Sequence, residues 1–330
     1  MTDETNEWGG GLWAAAGLIT PMAIRVAATL RLADHIAAGT RTVPALAAAV
    51  RADPEALERL MNHLVSAGVL TPSYELTELG DGLRSDHPDG LRAWFDLEGS
   101  IGRADLSLVE LLHTVRTGEP AFPRFFGRPF WEDLRADPQR AASFDDLMGA
   151  RLTTSAPAVA AAYPWGTLGH VVDVGGGDGS LLIAVLRAHD NLRGTVVELS
   201  GAVPAAEQAI AAAGLTGRAD VRGGTFFDPL PAGAGGYLLS GVLHNWNDAD
   251  ARRILRRCAE AGGETGKILV VEAVGGPPDT EGDLRMYSYF GGKERDLGQL
   301  GDLAASAGLE VGTVVPAGFR SVVELRHPAA

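Results

Sequence analysis

The second half of the chain constrains the fold most strongly, because short β-branched runs alternate there with amphipathic stretches from about residue 168 onward. Five such runs occupy residues 170–174, 194–199, 219–223, 236–243 and 267–274. This alternation predicts an α/β fold, in which helices cover both faces of a parallel sheet. Two more runs, at 310–315 and 320–325, leave no room for a crossover helix between them. We therefore expect these two runs to form an antiparallel hairpin.

The first half of the chain has a helical pattern. Apolar residues recur there at three- and four-residue spacing in the segments 12–38, 43–50, 54–67, 91–114 and 138–162. A chain of 330 residues has room for two domains. We place their boundary near 163–169, which predicts an all-helical domain at 1–165 and an α/β domain at 166–330.

Residues 40–85 have the outline of a winged-helix module, with two helices followed by a small β-ribbon at 74–76. Such modules often bind DNA. However, residues 41–89 hold eight acidic and only four basic residues, whereas phosphate binding requires the opposite balance. The whole chain is also acidic, with a net charge of −14. We expect no nucleic-acid partner, and a winged-helix transcriptional regulator is kept as the non-enzyme alternative.

Cysteine and histidine usage argues against a metalloprotein. The single cysteine, Cys258, excludes a disulfide framework and a cysteine-based zinc or iron–sulfur site. The eight histidines show no spacing typical of metal ligands. We expect a reduced protein that needs no metal.

The beginning of the sequence predicts a cytoplasmic protein. Its first seven residues carry three acidic side chains, which is the wrong charge for a secretory signal. The apolar stretch at 12–36 is interrupted by Arg25, Arg31 and Asp34, and such charges are costly inside a membrane. We interpret the stretch as packing surface of helices and expect no membrane partner.

A glycine-rich loop, Gly175-Gly-Gly177-Asp-Gly179, follows the first predicted strand and precedes a helix. Glycines let the backbone turn tightly and approach a ligand closely. A dinucleotide-binding loop has its third glycine at the sixth position, where this chain has Ser180. Glu198 ends the next strand, where a carboxylate can hold both hydroxyls of a ribose. The loop and Glu198 together favour a nucleoside ligand, and a plain strand-to-helix turn is the alternative.

Asp173 stands just before this loop. Its carboxylate could accept hydrogen bonds from the loop amides or bind an ammonium group. Capping of the following helix is the alternative role.

His244 follows the fourth predicted strand, at the sheet edge where ligands bind in open α/β folds. Histidine titrates near neutral pH, as a general base should. Glu272 lies in an apolar strand, where a carboxylate is costly unless it is paired, and Glu294 follows a predicted helix at 282–290. A carboxylate beside an imidazole fixes its tautomer and raises its basicity. The three residues together predict a catalytic group.

The motifs of this chain, taken together, resemble those of the class I S-adenosylmethionine-dependent methyltransferases. Within this class the chain looks like the caffeate-type small-molecule O-methyltransferases and their antibiotic-tailoring relatives. The resemblance covers nearly the whole chain, and its motifs lie at 121–148, 171–179, 226–231, 243–248 and 283–295. Segments 20–30 and 289–295 look most like enzymes that methylate a hydroxynaphthoate during enediyne assembly.

The resemblance implies a Rossmann-like methyltransferase sheet, with S-adenosyl-L-methionine as cofactor and S-adenosyl-L-homocysteine as product. It implies that His244 is the general base, held between Glu272 and Glu294, without a metal. The residues expected at the cofactor are Asp173, Gly175, Gly177, Glu198, Thr225, Phe226, Ser240 and Trp246. Those expected to line the acceptor pocket are Met148, Met286, Tyr287 and Phe290, for which ordinary core packing is the alternative.

The resemblance also implies a homodimer formed through the N-terminal helices, with the domain at 1–165 contributing to the acceptor pocket. The expected reaction is O-methylation of a small aromatic hydroxy acid or phenol, such as a hydroxynaphthoate or a salicylate-like acceptor. The partner of an acceptor carboxylate would be Arg25, Arg295 or neither. Two departures from the family pattern are Thr225, where relatives often have Asp, and Asn245, where they often have Asp.

Two alternatives to O-methylation stay open. The first is C-methylation, because both reactions start from the same phenolate. The second is a relative recruited to chemistry that transfers no methyl group, such as hydroxylation. The base predicted at His244 argues against the second alternative, since such chemistry needs no phenol base.

Overall fold

The computed structural model describes residues 11–276 and 279–328, which fold into two compact units. The first unit is formed by Met1–Leu106 and Gln139–Phe144, and the second by Ser107–Pro138 and Asp145–Ala330. This division lies within the helical half of the chain, earlier than the boundary expected at 165/166. That boundary stays a prediction about where the functional domains meet.

The first unit is helical in its described part. Its helices are α1 (Gly11–Ala16), α2 (Ile19–Thr29), α3 (Leu32–Ala37), α4 (Val43–Val50), α5 (Pro54–Ser66), α6 (Glu78–Asp81), α7 (Leu91–Phe95) and α8 (Ser100–Asp105). The segment 12–38, expected as one helical run, is divided into three helices. Arg31 has φ 53°, a left-handed conformation that ends α2 before α3 begins.

The core of the first unit lies among α2 to α5. Leu46, Met61 and Leu64 are buried there against alanines of α2. The β-ribbon expected at 74–76 is reduced to one bridge, between Leu70 and Leu76. The winged-helix character of this region therefore stays a prediction.

One stretch of the described chain, Gly11–Thr29, is long and apolar enough to cross a membrane, although by length and composition alone. Only 17% of its most apolar window is buried within the chain. The stretch contains Arg25, which forms an ion pair with Asp105. If this stretch is packing surface, as expected, another molecule must cover its exposed apolar side chains.

The second unit begins with short helices. A 3₁₀ helix at Leu106–Glu110 is followed by α9 (Leu111–Thr117), α10 (Ala121–Phe126), α11 (Phe130–Arg135) and α12 (Pro138–Ala162), of which residues 145–162 belong to this unit. The segment 91–114, which has a helical pattern, is thus formed by α7, α8, the 3₁₀ helix and α9. Gly102, within α8, permits a close approach to the end of α7, because a Cβ there would lie 2.1 Å from the backbone oxygen of Asp96.

The remainder of the second unit is a seven-stranded sheet with its covering helices. The strands are β1 (His170–Val174), β2 (Arg193–Glu198), β3 (Ala219–Gly223), β4 (Gly236–Ser240), β5 (Lys267–Glu272), β6 (Glu310–Ala317) and β7 (Arg320–Arg326). The helices are α13 (Ser180–Ala188), α14 (Val203–Ala212), α15 (Asp248–Gly262), α16 (Thr280–Phe290) and α17 (Leu297–Ser306). The spatial order is β3-β2-β1-β4-β5-β7-β6.

The sheet confirms the predicted fold class. Strands β1 to β5 pair in parallel, whereas β7 pairs antiparallel with both β5 and β6. Val172, Leu239 and Val270 are fully buried on one face, and Val171, Leu238 and Leu269 are fully buried on the other. Apolar side chains on both faces are typical of a parallel sheet covered by helices on each side.

Candidate active site

Neighbouring parallel strands each bring a polar side chain to one edge of the sheet. Glu198 ends β2, Ser240 ends β4 and Glu272 ends β5, while Asp173 is the penultimate residue of β1. Strands β2, β1, β4 and β5 are consecutive in the sheet. Since all four run in the same direction, these side chains share the edge at which α/β sheets bind ligands.

The glycine loop turns sharply after β1. Gly175, Gly177 and Gly179 have φ values of 72°, 59° and 78°, which favour glycine. The N–H of Gly177 donates to Glu198 Oε2 at 3.0 Å, and the N–H of Leu199 donates to Oε1 at 2.7 Å. The carboxylate predicted to hold a ribose is thus fixed beside the loop.

Asp173 is a buried carboxyl group facing the loop. A Cβ at Gly176 would lie only 2.6 Å from its Oδ2, so the backbone approaches this carboxyl as only a glycine permits. Within the described residues, Oδ2 has no hydrogen-bond partner. Burial raises the pKa of Asp173 to about 7, and the charges of Glu198 and Asp178 add to the shift.

Asp173 does not cap helix α13, so this alternative is wrong. Asp178 takes that place, because its Oδ1 accepts from the N–H of Ser180 and its Oδ2 from the hydroxyl of Ser180. Asp173 is left with an unpaired, buried oxygen, which favours a cationic ligand.

A further carboxylate near the loop, Asp145 of α12, was not predicted from the sequence. Partial burial and the charges of Glu198 and Asp178 together raise its pKa to about 6. A Cβ at Gly149, one turn later, would lie 3.4 Å from Asp178 Oδ2, which places this part of α12 beside the loop. Several carboxylates therefore surround the glycine loop and make its surroundings attractive to a cation.

His244 lies in a short 3₁₀ helix, Leu243–Asn245, which begins three residues after the end of β4. Its Nδ1 is 2.8 Å from Glu294 Oε1. Because an ionised carboxylate can only accept, this contact assigns the N–H to Nδ1 and leaves Nε2 with a lone pair. Within the described chain Nε2 makes no hydrogen bond.

The environment of His244 raises its basicity. Burial by itself lowers the pKa of the imidazole, but the hydrogen bond to Glu294 and the charges of Glu272 and Glu294 outweigh this and raise the pKa above its usual value. Burial raises the pKa of Glu294, but the bond from His244 and the charges of His244, Arg151 and Arg320 together outweigh it and lower the pKa. An imidazole with a free Nε2 and a raised pKa can accept a proton near neutral pH.

Glu272 contacts the backbone of His244. Its Oε1 accepts from the N–H of His244 at 3.2 Å. Burial raises the pKa of Glu272, and the neighbouring His244 partly counteracts the shift. Glu272 therefore anchors the turn that carries His244 and influences the ring through its charge.

The loop after α16 brings Glu294 to the histidine. The N–H of Lys293 donates to the backbone oxygen of His244 at 2.8 Å, and the N–H of Glu294 donates to Asp283 Oδ1 at 2.9 Å. A Cβ at Gly292 would lie 2.2 Å from that same oxygen of His244. The close approach of the two loops thus requires glycine at position 292.

Two further residues expected at the cofactor, Phe226 and Trp246, lie beside the glycine loop. A Cβ at Gly175 would lie 3.4 Å from the Phe226 ring, and the Trp246 ring packs edge-on against Phe226 at 5.6 Å between centroids. The hydroxyl of Thr225 accepts from the N–H of Phe227 at 3.2 Å. Thr225 thereby stabilises its own turn.

The residues expected at the acceptor have different surroundings. Phe290 stacks on Trp131 at 5.2 Å between centroids, within an aromatic cluster of the second unit. The hydroxyl of Tyr287 donates to the backbone oxygen of Gly118 at 3.2 Å. Met148 and Met286 are half-buried. Nothing in these contacts assigns the four side chains to one pocket.

The arginines suggested for an acceptor carboxylate are both engaged elsewhere. Arg25 forms an ion pair with Asp105, and Arg295 is buried with bonds to Asp248 and to the backbone oxygens of Leu243 and Trp246. Nη1 of Arg25 is nonetheless buried without a hydrogen-bond partner among the described residues, so the choice among the three alternatives stays a prediction. Residues 11–276 and 279–328 contain no group of three or more potential metal ligands.

Two protein families match the chain. Residues 108–310 match the O-methyltransferase domain, and residues 13–85 match the O-methyltransferase dimerisation domain. The chain belongs to the O-methyltransferase family. The predicted membership of the O-methyltransferases is thereby confirmed. The two matched regions together cover most of this O-methyltransferase.

Curated relatives match the O-methyltransferase along nearly its full length. It is 55% identical to 2,7-dihydroxy-5-methyl-1-naphthoate 7-O-methyltransferase of Streptomyces carzinostaticus, over 96% of this chain and 97% of the relative. It is 46% identical to aclacinomycin 10-hydroxylase of Streptomyces purpurascens, over 88% of this chain and 82% of the relative. Relatives of similar sequence thus differ in the reaction named for them.

A solved structure agrees with the fold. An O-methyltransferase from neocarzinostatin biosynthesis, in complex with S-adenosyl-L-homocysteine and 1,4-dihydroxy-2-naphthoic acid, aligns with a TM-score of 0.94. The two chains are 54% identical, and the alignment covers 96% of this chain and 99% of the other.

Proposed function

We propose that this O-methyltransferase uses S-adenosyl-L-methionine to methylate a hydroxyl group of a small aromatic hydroxy acid in antibiotic biosynthesis. The acceptor class is a hydroxynaphthoate, since a 55% identical relative is named for a dihydroxynaphthoate. The similar solved structure holds a dihydroxynaphthoic acid and S-adenosyl-L-homocysteine. One observation within this chain carries the proposal: His244 is bonded to Glu294 through Nδ1 and presents Nε2 as an acceptor.

The residues around the glycine loop fit the cofactor. The unpaired Oδ2 of buried Asp173 would accept from its ammonium group, and Glu198 would hold the ribose. Gly175 and Gly177 would leave room for the cofactor beside the backbone. Phe226, Trp246 and Thr225 would lie towards its adenine, and Ser240 would lie towards its methionine part. S-adenosyl-L-methionine, when bound, supplies an electrophilic methyl group and is left as S-adenosyl-L-homocysteine.

His244 would act as the general base. A phenol has a pKa of about 10 and an imidazolium about 6.5, so complete proton transfer before attack is unfavourable. The raised pKa of His244 narrows this difference, and proton transfer to Nε2 accompanies attack by the oxygen. Glu294 stabilises the imidazolium that forms, while Glu272 holds the turn. Met148, Met286, Tyr287 and Phe290 would line the acceptor, for which Phe290 already lies in an aromatic cluster.

The proposal includes a homodimer in the cytoplasm. Its helical domain, predicted at 1–165, contains the region that matches the dimerisation domain. Helix α2 and its neighbours expose a continuous set of apolar side chains, which are Leu12, Trp13, Leu18 and Ile19. A second copy of the chain would cover them.

A hydroxylase is the second candidate, because a 46% identical relative is named as one. The geometry of His244 and Glu294 favours methylation, since a phenol base serves that reaction. The mass of the product distinguishes the two, because methylation adds one carbon and two hydrogens and hydroxylation adds one oxygen.

The test is turnover followed by mass spectrometry. Purified protein with S-adenosyl-L-methionine is offered hydroxynaphthoates, salicylates and plain phenols. We expect one added methyl group, with a rate that falls by about 10²–10⁴-fold in His244→Ala. Chemical analysis of the product separates an ether from a C-methyl group. Cofactor binding without methylation of any acceptor would reject the proposal.

A further inference from the structure

Two arginines of the second unit lie close together, beside the ring of Phe319. Arg320 begins β7, and Arg151 lies in α12. Their guanidinium carbons lie 5.4 and 5.7 Å from the centroid of the Phe319 ring, which both groups contact. Burial lowers the pKa of Arg320, and the charge of Arg151 lowers it further.

Neither arginine has a carboxylate partner. Among the residues that the structure describes, no Asp or Glu oxygen lies within 4.0 Å of either guanidinium group. The guanidinium of Arg320 makes one hydrogen bond, from Nη1 to Ser240 Oγ at 3.1 Å. Glu272 and Glu294 act on Arg320 only through their more distant charges. Arg320 is half-buried and Arg151 is exposed, and two neighbouring cations without a paired anion favour an anionic ligand.

The pair is adjacent to the reacting nitrogen. A Cβ at Gly241 would lie 3.7 Å from His244 Nε2 and 3.8 Å from Arg320 Nη1, so both atoms approach the same point. The strand register agrees, because Ser321, the neighbour of Arg320, pairs with Glu272 at the end of β5. A small planar molecule could therefore contact Nε2 and Arg320 together.

Arg151 connects this point with the acceptor side of α12. It lies three residues after Met148, a predicted acceptor residue, and side chains three apart share one face of a helix. The guanidinium fork of an arginine matches the two oxygens of a carboxylate. Two such groups beside an exposed ring fit an aromatic acid better than a neutral phenol.

We propose that Arg320 and Arg151 bind the carboxylate of the acceptor and thereby select aromatic hydroxy acids over neutral phenols. This inference rests on the proposed function, since it assigns the acceptor class of the same site. Arg320 is the principal ligand because its Nη1 approaches the same point as His244 Nε2, and Arg151 adds charge from α12. The carboxylate would orient the ring so that its hydroxyl reaches Nε2.

The experiment compares an acid with its neutral analogue. Titration calorimetry measures binding of a hydroxynaphthoic acid and of the corresponding hydroxynaphthamide to protein saturated with S-adenosyl-L-homocysteine. The variants are Arg320→Gln, Arg320→Lys, Arg151→Gln and the control Arg326→Gln, which removes an exposed arginine from the same strand. We expect Arg320→Gln to weaken binding of the acid at least about tenfold and of the amide less than about twofold.

Further outcomes follow from the same titrations. Arg151→Gln should cause a smaller loss for the acid alone, Arg320→Lys should recover part of the affinity, and Arg326→Gln should match the wild type. Equal losses for acid and amide in Arg320→Gln would mean a structural role and would overturn the inference. Equal affinity of the wild type for acid and amide would overturn it without any variant.

A parallel turnover assay separates the two proposals. Methyl transfer without discrimination between acid and amide rejects the carboxylate site but keeps the methyltransferase. Discrimination in binding without methyl transfer keeps the site and rejects the proposed function. If Arg320→Gln does not fold, as judged by circular dichroism, Arg320→Lys and the wild-type comparison decide.

Discussion

At the scale of single residues, two carboxylates near the glycine loop and His244 have opposite pKa shifts. Glu294 has a lowered pKa because its bond to His244 and the charges of His244, Arg151 and Arg320 together outweigh burial, which favours the ionised form. Asp173 has a raised pKa because it is buried without a partner. One carboxylate thus has its charge balanced within the chain, whereas the other gains a counter-charge only from a ligand.

The first residue-scale prediction concerns the base. His244 must be neutral to accept a proton, so kcat/KM should rise with pH through a pKa above the ordinary 6.5. In Glu294→Gln the supporting charge is lost, and the inflection should move to lower pH while the plateau falls. Glu310→Gln, at an exposed ion pair with Arg326, should leave the profile unchanged. An unshifted inflection in Glu294→Gln would contradict this role.

The second residue-scale prediction concerns Asp173. Its pKa of about 7 means that the carboxyl group is mostly protonated at pH 6 and mostly ionised at pH 8. An ionised Asp173 pairs with an ammonium group, so S-adenosyl-L-homocysteine should bind up to about tenfold more tightly at the higher pH. Asp173→Asn should bind weakly and without this pH dependence, whereas Asp190→Asn, at an exposed site, should behave as the wild type does. Titration calorimetry measures each Kd.

At the scale of elements, the site is assembled where separate segments approach each other. The 3₁₀ helix after β4 carries His244, the end of β5 carries Glu272, and the loop after α16 carries Glu294. A bond from Lys293 N–H to the oxygen of His244 connects the two loops. The geometry of the base therefore depends on backbone contacts as well as on side chains.

The element-scale prediction tests this backbone contact. In Gly292→Ala the new Cβ would collide with the oxygen of His244, so the loop must move and Glu294 with it. We expect a loss of kcat at least as large as in Glu294→Gln, with cofactor affinity retained. The matched control is Gly301→Ala in α17, where the Cβ has ordinary contacts and should stabilise the helix by about 0.5–1 kcal/mol. Thermal unfolding and turnover together check both variants, and full activity in Gly292→Ala would refute the argument.

The elements also show what a sequence can and cannot predict here. The strands, the hairpin and the glycine loop follow from local patterns of apolar and glycine residues, which determine backbone conformation directly. The environment of Asp145 and Arg320 could not be predicted in this way, because α12 and the start of β7 approach the site only through tertiary packing. The motif around Glu294 predicted its nearness to His244, but which atoms Glu272 contacts depends on strand register.

At the scale of the whole molecule, the exposed apolar side chains of α1 and α2 require a cover. Leu12, Leu18 and Ile19 are 79%, 69% and 74% exposed, within and beside a region that matches the dimerisation domain. An arginine within this stretch, Arg25, would be costly at the centre of a bilayer, by about 2.5–3.5 kcal/mol. A second copy of the chain is the cover that both observations favour.

The molecular-scale prediction follows from that cover. The wild type should be a dimer without detergent, and Ile19→Glu should shift it towards the monomer, because a charge would be buried in the interface. Val314→Glu, at an exposed aliphatic residue of β6 outside the matched region, should stay dimeric. Light scattering after size-exclusion chromatography gives the mass. A wild-type monomer, or a dimer unaffected by Ile19→Glu, would reject this interface.

The strand order affects how the protein folds during its synthesis on the ribosome. Strand β7 lies between β5 and β6, although it follows both along the chain. A nascent chain that ends before residue 320 therefore leaves the edge of β5 open and also lacks Arg320. Pairings between distant segments form late in folding. The sheet edge that carries Glu272 is thus completed only after nearly all of the polypeptide has been synthesised, and an incomplete copy lacks the proposed carboxylate ligand Arg320.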